Sequence, residues 1–516
     1  MPIFNDPGVY VVQEIIPRAA DVVLGEMPAA FVGPLFQIVD QHDDTETDLE
    51  LDDQTLDDLS DVTVPYPNIK HEDNPVDEDS VEVYLMRRDG RSETIPGEYL
   101  TITPEEVTVS LKDEDEDTTI GSFYQNLNDE WLGKEVEYTG TDDNLGGLEG
   151  SIVHVSYRSV REDLVGRVVL AQGQPDTEVQ LGKATPENPL GMAGGIASNV
   201  APTETVAYVP TKDYLTEVST DTVDAESEVT AGLARLEPKT VYEVVVLSDD
   251  LNLQGNVVNH VENMSDPAEG QYRFGWLPTE MPDESAVRDY LDIGEEDELT
   301  EVSKKEAQKD ILASEATGIF NRRAALLFQP FDLEIDGELR DLESYYLAVG
   351  YAALNASLPT QQGLTNYPLS GVVNELKYGK DYFKPSQLSE LSNAGVFTCI
   401  QDVPGAPIRS RAQFSTNTLN NETKQISITN LADEFSYTLI NTLERFIGVT
   451  NINDDVLETL EDTINALINT KKRAGKLNSG NLVKLEENPD AKYRVDVEIE
   501  ATFPSPLDQI VVTLKY

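Results

Sequence analysis

The stretch PGVYVVQEI, from Pro7 to Ile15, reads as a turn followed by a β-branched, aromatic strand at the edge of the chain. The last nine residues, DQIVVTLKY from Asp508 to Tyr516, read as a second strand in which the chain stops. Terminal residues usually fray unless something ties them down. Val9 and Val11 on one face, with Tyr10 and Val12 on the other, offer apolar side chains to both sides of a sheet. Glu14 and Pro17 limit how far that pairing can spread. Two readings follow. Either each terminal strand adds to its own domain's sheet, or it adds to the sheet edge of another molecule.

Working outward, residues 1–22 form an extended arm. AAFVGPLFQIV (Ala29–Val39) is an apolar run broken at Gly33-Pro34, expected as a buried strand that leads into a turn. After an acidic connector (Asp40–Asp61), short alternating runs such as VEVYLMRR, EEVTVSL and GSIVHVSYRSV are punctuated by Gly, Pro, Asn and Asp. That pattern predicts an all-β domain over 60–210. GMAGGIASNVAP (Gly191–Pro202) is expected as a flexible boundary. From 225 to 380 the pattern becomes α/β. VYEVVVLSDD and AALLFQPF read as strands buried on both faces, alternating with helices at 283–291, 299–316 and across ELRDLESYYLAVGYAALNASLP.

Two helices stand out over 381–503. In NLADEFSYTLINTLERFIG, residues Leu431, Phe435, Leu439, Leu443, Phe446 and Ile447 form one stripe, with Asn430 as N-cap and Gly448 as terminator. In DDVLETLEDTINALINTKKR, Val456, Leu460, Ile464, Leu467 and Ile468 repeat the pattern. Acids stand at its start and bases at its end, as the helix dipole prefers. RVDVEIEATF then alternates strictly, with Val495, Val497, Ile499 and Ala501 against Asp496, Glu498 and Glu500. Pro504 and Pro506 separate it from the terminal strand, 504–516.

Ninety-six acidic residues against 37 basic ones give a net charge of −59, spread along the chain rather than gathered in a tail. At low salt such a chain repels itself and its copies. At molar salt, where the Debye length is about 3 Å, most of that is screened. The spread points to high intracellular salt, a haloarchaeal setting, and argues against nucleic acid or anionic membrane as a direct partner. No apolar run is long enough to span a membrane, and no secretory leader is expected. Cys399 is a lone thiol in an apolar strand, expected to be buried and inert.

Catalytic and metal patterns are missing. His42, His71, His154 and His260 lie in no ligand spacing. DEDEDT (Asp113–Thr118) starts like a calcium loop, but Thr118 stands where glycine is required and Tyr124 where a glutamate is required. The glycine runs at 144–151 and 475–480 carry no phosphate-loop pattern and read as turns. No enzyme, cofactor or metal is expected.

Taken in order, these pieces resemble the tail sheath proteins of contractile-tailed viruses and of related contractile injection systems. The resemblance rests on Pro7–Glu14 as a near-terminal PGVYVEE-like strand and on Ala29–Gly33 as a small-residue run ending in F-V-G. It also rests on Phe446–Asn451 as an FIGxxN phrase between two helices, and on the closing strand, proline break and strand. It covers residues 1–40 and 340–516. What it implies is an α+β multidomain chain: a layered α/β sheath core built from the N-terminal arm, residues 23–59 and the C-terminal part, with an inserted, outward-facing β domain. It implies stacked hexameric rings around a tail tube protein, with baseplate and tail terminator proteins as further partners. Neighbouring subunits would be joined by an N-terminal strand (Val9, Tyr10, Val11, Val12, Ile15) and a C-terminal strand (Ile510, Val511, Val512, Leu514). The acceptor sheet would carry Val495, Val497 and Ile499. A halophilic surface-layer or adhesion protein built of β-domains is the alternative from another class.

Overall fold

A computed structural model describes residues 29–41, 62–65, 81–86, 92–94, 100–102, 106–109, 152–161, 163–215, 223–335, 337–369 and 374–506. Both terminal strands, the DEDEDT loop and His42 and His71 lie outside the described residues.

At the centre is a six-stranded sheet. Its strands are β1 (Ala30–Pro34), β2 (Val169–Gln172), β3 (Thr205–Thr211), β4 (Glu243–Val246), β5 (Phe274–Pro278) and β6 (Ala324–Leu327), in the order β6-β5-β4-β1-β3-β2. All neighbours are parallel except β2, which runs antiparallel to β3. β1 is buried along its whole length, as are β4, β5 and β6. A strand covered on both faces must be apolar at consecutive positions, which is why these runs read as continuous rather than alternating.

Helices cover both faces. Against one face pack α3 (Ala225–Leu236) and α4 (Leu251–Met264), where Val229, Leu233, Val257 and Val261 join Val32, Val209, Val244 and Val246. Against the other pack α2 (Pro189–Val200) and α7 (Ser344–Ser357). There Phe31 meets Tyr208 edge-on at 5.7 Å, and Trp276 is enclosed by Tyr351 and Phe397. Gly33 is required on this sheet, because a Cβ would lie 2.6 Å from Leu247 Cδ1.

The remaining described helices of eight residues or more are α1 (Gly173–Leu181), α5 (Glu284–Leu291), α6 (Glu301–Ile319), α8 (Pro385–Ala394), α9 (Ile426–Leu443) and α10 (Asp454–Arg473). None of the described helices is long and apolar enough to cross a membrane.

Two compact units divide the chain: one is Leu35–Val165, the other takes the chain up to Pro34 and from Gly166 onward. Every described element of the first unit is a strand. Phe36–Gln41, Ile152–Val160, Glu82–Met86 and Ser92–Thr94 form one antiparallel sheet, and Val62–Pro65, Glu106–Val109 and Leu100–Ile102 a second. Its first and last strands pair directly, Phe36 opposite Val160, so the chain enters and leaves this unit side by side. Such adjacency lets a unit sit within another unit's sequence.

Several expectations are corrected. The run Ala29–Val39 does begin with a buried strand, Ala30–Pro34, in the central sheet, but a second strand, Phe36–Gln41 of the other unit, follows it where a turn was expected. The β-rich unit ends at Val165, not 210, since β2, α1, α2 and β3 all belong to the central sheet and its cover. Gly191–Pro202 is not a flexible boundary but the buried helix α2. Its glycines allow close packing, since a Cβ on Gly194 would lie 2.4 Å from Thr177 Cγ2. Asn188 Oδ1 caps it by accepting from Gly191 N. Residues 225–380 do not form a domain apart from the segment Ala30–Pro34, because β1 lies between β3 and β4 in one sheet. Glu338–Leu342 is a strand paired with Phe331–Ile335 rather than the start of a helix; Gly337, at φ 86°, makes the turn.

Candidate assembly site

Helices α9 and α10 pair through a small core of their own. Leu431, Phe435, Leu439 and Leu443 of α9 meet Leu460, Ile464 and Ile468 of α10, and Val456, Leu467 and Phe446 pack at its margin. The stripes legible in the sequence are the stripes that touch, except at Ile447, which lies beyond the end of α9 and is exposed. Asn453, not an acid, caps α10 by accepting from Val456 N, and the dipole is matched by Asp454 and Asp455 at one end and Lys471–Arg473 at the other. Helix α9 starts earlier than expected, at Ile426, so Asn430 lies inside it rather than at its cap. Ile447 and Val449 project from the loop between the helices.

On this pair rests a two-stranded hairpin, β7 (Ser479–Glu487) and β8 (Val495–Thr502). In it Leu482 stands opposite Ile499, Leu485 opposite Val497 and Glu487 opposite Val495, with a bulge at Val483. Ile499, Ala501, Leu482 and Leu485 pack against the helix core. Val497 belongs to the same face but is 38% exposed, and Tyr493 at the turn is 85% exposed. The opposite face carries Asp496, Glu498 and Glu500. Burial raises the Asp496 carboxyl, but bonds from Asn488 and Arg494 outweigh it, and its pKa is lowered. Among the described residues neither strand has a second partner. Two-stranded sheets are marginal alone in water, and an unpaired edge is a row of free main-chain donors and acceptors.

Of the expected site residues, the structure places Val495, Val497 and Ile499 at successive same-face positions of β8. Val9, Tyr10, Val11, Val12, Ile15, Ile510, Val511, Val512 and Leu514 lie outside the described residues. The sequence reading missed β7, because the bulge at Val483 shifts its alternation by one residue, so that Leu482 and Leu485, an odd number apart, share one face.

It also missed what anchors this unit. Asp433 of α9 is fully buried and pairs with both terminal nitrogens of Arg323, Nη2 to Oδ1 at 2.7 Å. The Tyr242 hydroxyl donates to Asp433 Oδ2 at 2.9 Å and lies 3.0 Å from Asn430 Oδ1. Asn430 Nδ2 donates to Asn355 Oδ1, Asn355 Nδ2 to Glu243 Oε1, and Trp276 Nε1 to Glu243 Oε2. A continuous buried chain of polar contacts thus runs from β5 through α7 into α9. Lys471 of α10 donates to Glu434 Oε1, and Thr360 to Glu434 Oε2. Buried ions survive only when paired and hydrogen-bonded, so each link fixes its neighbours. Glu243 has no cation beside it, and burial raises its carboxyl to about 8. Burial also pushes the Cys399 thiol up to about 12, in keeping with an inert cysteine.

His260 is buried beside Arg273, and burial lowers it to about 3. Arg273 in turn donates to the carbonyls of Leu236, Glu237 and Lys239, which close helix α3. No cluster of His, Cys and carboxylates among the described residues has the geometry to hold a metal ion.

No family model matches the chain, and no curated protein matches it. Solved structures do. The helical sheath of the anti-feeding prophage, in its contracted state, superposes with a TM-score of 0.50 at 10% identity, over 68% of this chain and 89% of that one. The fold is that of a contractile sheath subunit. Two sheath tail proteins, from Desulfitobacterium hafniense and Listeria innocua, match over 96% and 89% of this chain, at 10% and 12% identity and TM-scores of 0.41 and 0.38. They span 100% and 87% of those chains.

Proposed function

We propose that this protein is the structural subunit of a contractile tail sheath. Copies stack as hexameric rings around a tail tube protein and contract to drive the tube through a host envelope, between baseplate and tail terminator proteins. The observation that carries this reading is the hairpin of β7 and β8, whose edges have no partner among the described residues, on a fold shared with a sheath subunit.

Each subunit lends its N-terminal strand (Val9–Val12 and Ile15) and its C-terminal strand (Ile510–Val512 and Leu514) to neighbours. The edges that receive them belong to the hairpin, where Val495, Val497 and Ile499 face the added side chains. Strand addition supplies a main-chain ladder as well as burial, and such head-to-tail contacts generate helical arrays. The mesh keeps subunits joined while their bodies slide into a denser arrangement that buries more surface.

The role is structural rather than enzymatic, and its place is a virion tail assembled in a host adapted to high salt. A non-viral contractile injection system would use the same parts. Electron microscopy of the purified protein across salt concentrations tests the reading. Hollow cylinders or stacked rings are expected in molar salt and should disperse near ~0.1 M, where a charge of −59 is poorly screened. Flat lattices would favour a surface-layer protein, and cylinders indifferent to salt would remove the electrostatic part.

A further inference from the structure

Away from the hairpin, the first two turns of α4 and the last turn of α6 leave a cleft of about 180 Å³ against Leu277 of β5. Its walls are apolar, formed by Leu251, Val258, Leu277 and Ile319. Two glycines open it: a Cβ on Gly255 or on Gly318 would meet nothing within 4 Å. That is room for a short alkyl chain with a head group rather than for one water.

Two polar atoms in this lining are buried and have no partner, Gln254 Oε1 and Glu315 Oε2. Gln254 is only 1% exposed. Its amide cannot turn over, because Nε2 donates to Ser248 O at 2.5 Å and the reversed amide would set two oxygens against each other. Burial raises the Glu315 carboxyl to about 7, and no cation stands beside it. Both unmet atoms are acceptors. Buried acceptors left unpaired are costly, and a ligand that supplies donors there removes the cost.

We infer that this cleft is a binding site for an alkylammonium or guanidinium group carried on a short apolar stem. The stem would lie on Leu251, Val258 and Ile319, and the head would donate to Gln254 Oε1 and Glu315 Oε2. A lysine or arginine side chain of a neighbouring copy and a free amine share this chemistry. The inference does not depend on the sheath reading, since it rests on the cleft alone.

Titration of the full chain with n-butylammonium, followed by NMR or calorimetry, tests it, with n-butanol as the neutral control. Saturable binding of the ammonium ion is expected, weakened roughly tenfold or more in E315Q by loss of one charge-assisted bond. G318L, which fills the cleft from an exposed position, should abolish binding while the circular dichroism is unchanged. Butanol binding as well as butylammonium, or wild-type affinity in E315Q, would overturn the proposal. Sedimentation of G318L then separates the sources. Weakened self-association alongside lost amine binding assigns the cleft to a neighbour's basic side chain. Unchanged self-association with the same loss assigns it to a free amine.

Discussion

The α/β body and the C-terminal hairpin unit solve the same problem in opposite ways. In the body, a sheet is covered on both faces and its interior strands are paired on both edges. In the hairpin unit, two strands rest on two helices, one apolar face is only partly covered, and among the described residues both outer edges are unpaired. The central sheet has six strands with helices on both faces, whereas the hairpin has two strands and a cover on one face. The proposed site of self-association is therefore the hairpin, which is linked to the body through Arg323 and Asp433.

The link gives the largest expected effect. R323M takes the guanidinium away from the buried Asp433 carboxylate, which should cost about 3–5 kcal/mol in urea unfolding. R323M/D433L, with both charges removed, should recover much of it. A loss confined to the hairpin, with the body's unfolding unchanged, would mean that the two regions are not coupled through this pair.

Glu243 gives an intermediate effect with a defined sign. Its carboxyl is raised to about 8 in the fold. Between its unfolded value of about 4.5 and about 8, the folded state therefore holds a proton that the unfolded state has released. Its contribution is intact below that window and is lost as pH rises through it. E243Q should flatten the fall in stability by at most about 1.4 kcal/mol per pH unit there. An identical slope in wild type and E243Q would contradict the protonated, buried assignment.

The smallest effect on the isolated subunit should come from V497K. At a half-covered face this should shift stability by about 0.5 kcal/mol or less, yet it should block assembly by placing a charge where an added strand must pack. Normal polymers from V497K would move the docking face elsewhere.

How much of this was legible depends on range. The stripes of α9 and α10 and the alternation of β8 are local patterns, and the structure bears them out apart from Ile447, which lies beyond α9 and is exposed. Helix α2 was not legible, because Gly191, Gly194 and Gly195 mark flexibility in a sequence and close packing in a fold; only contact with Thr177, Leu181 and Ala184 separates the two. The anchor was not legible either, since Tyr242 and Asp433 are 191 positions apart and nothing in either neighbourhood marks the pairing. The hairpin's edges could be expected from Val495, Val497 and Ile499, while β7 was hidden by one bulged residue, Val483.

The central claim is that the hairpin is completed by strands from other copies. Deleting residues 1–16 and comparing the product with the full chain by sedimentation and electron microscopy in molar salt tests it most directly. The account predicts a folded monomer with an unchanged circular dichroism spectrum and no cylinders. Cylinders like those of the full chain, or a subunit that no longer folds, would contradict it.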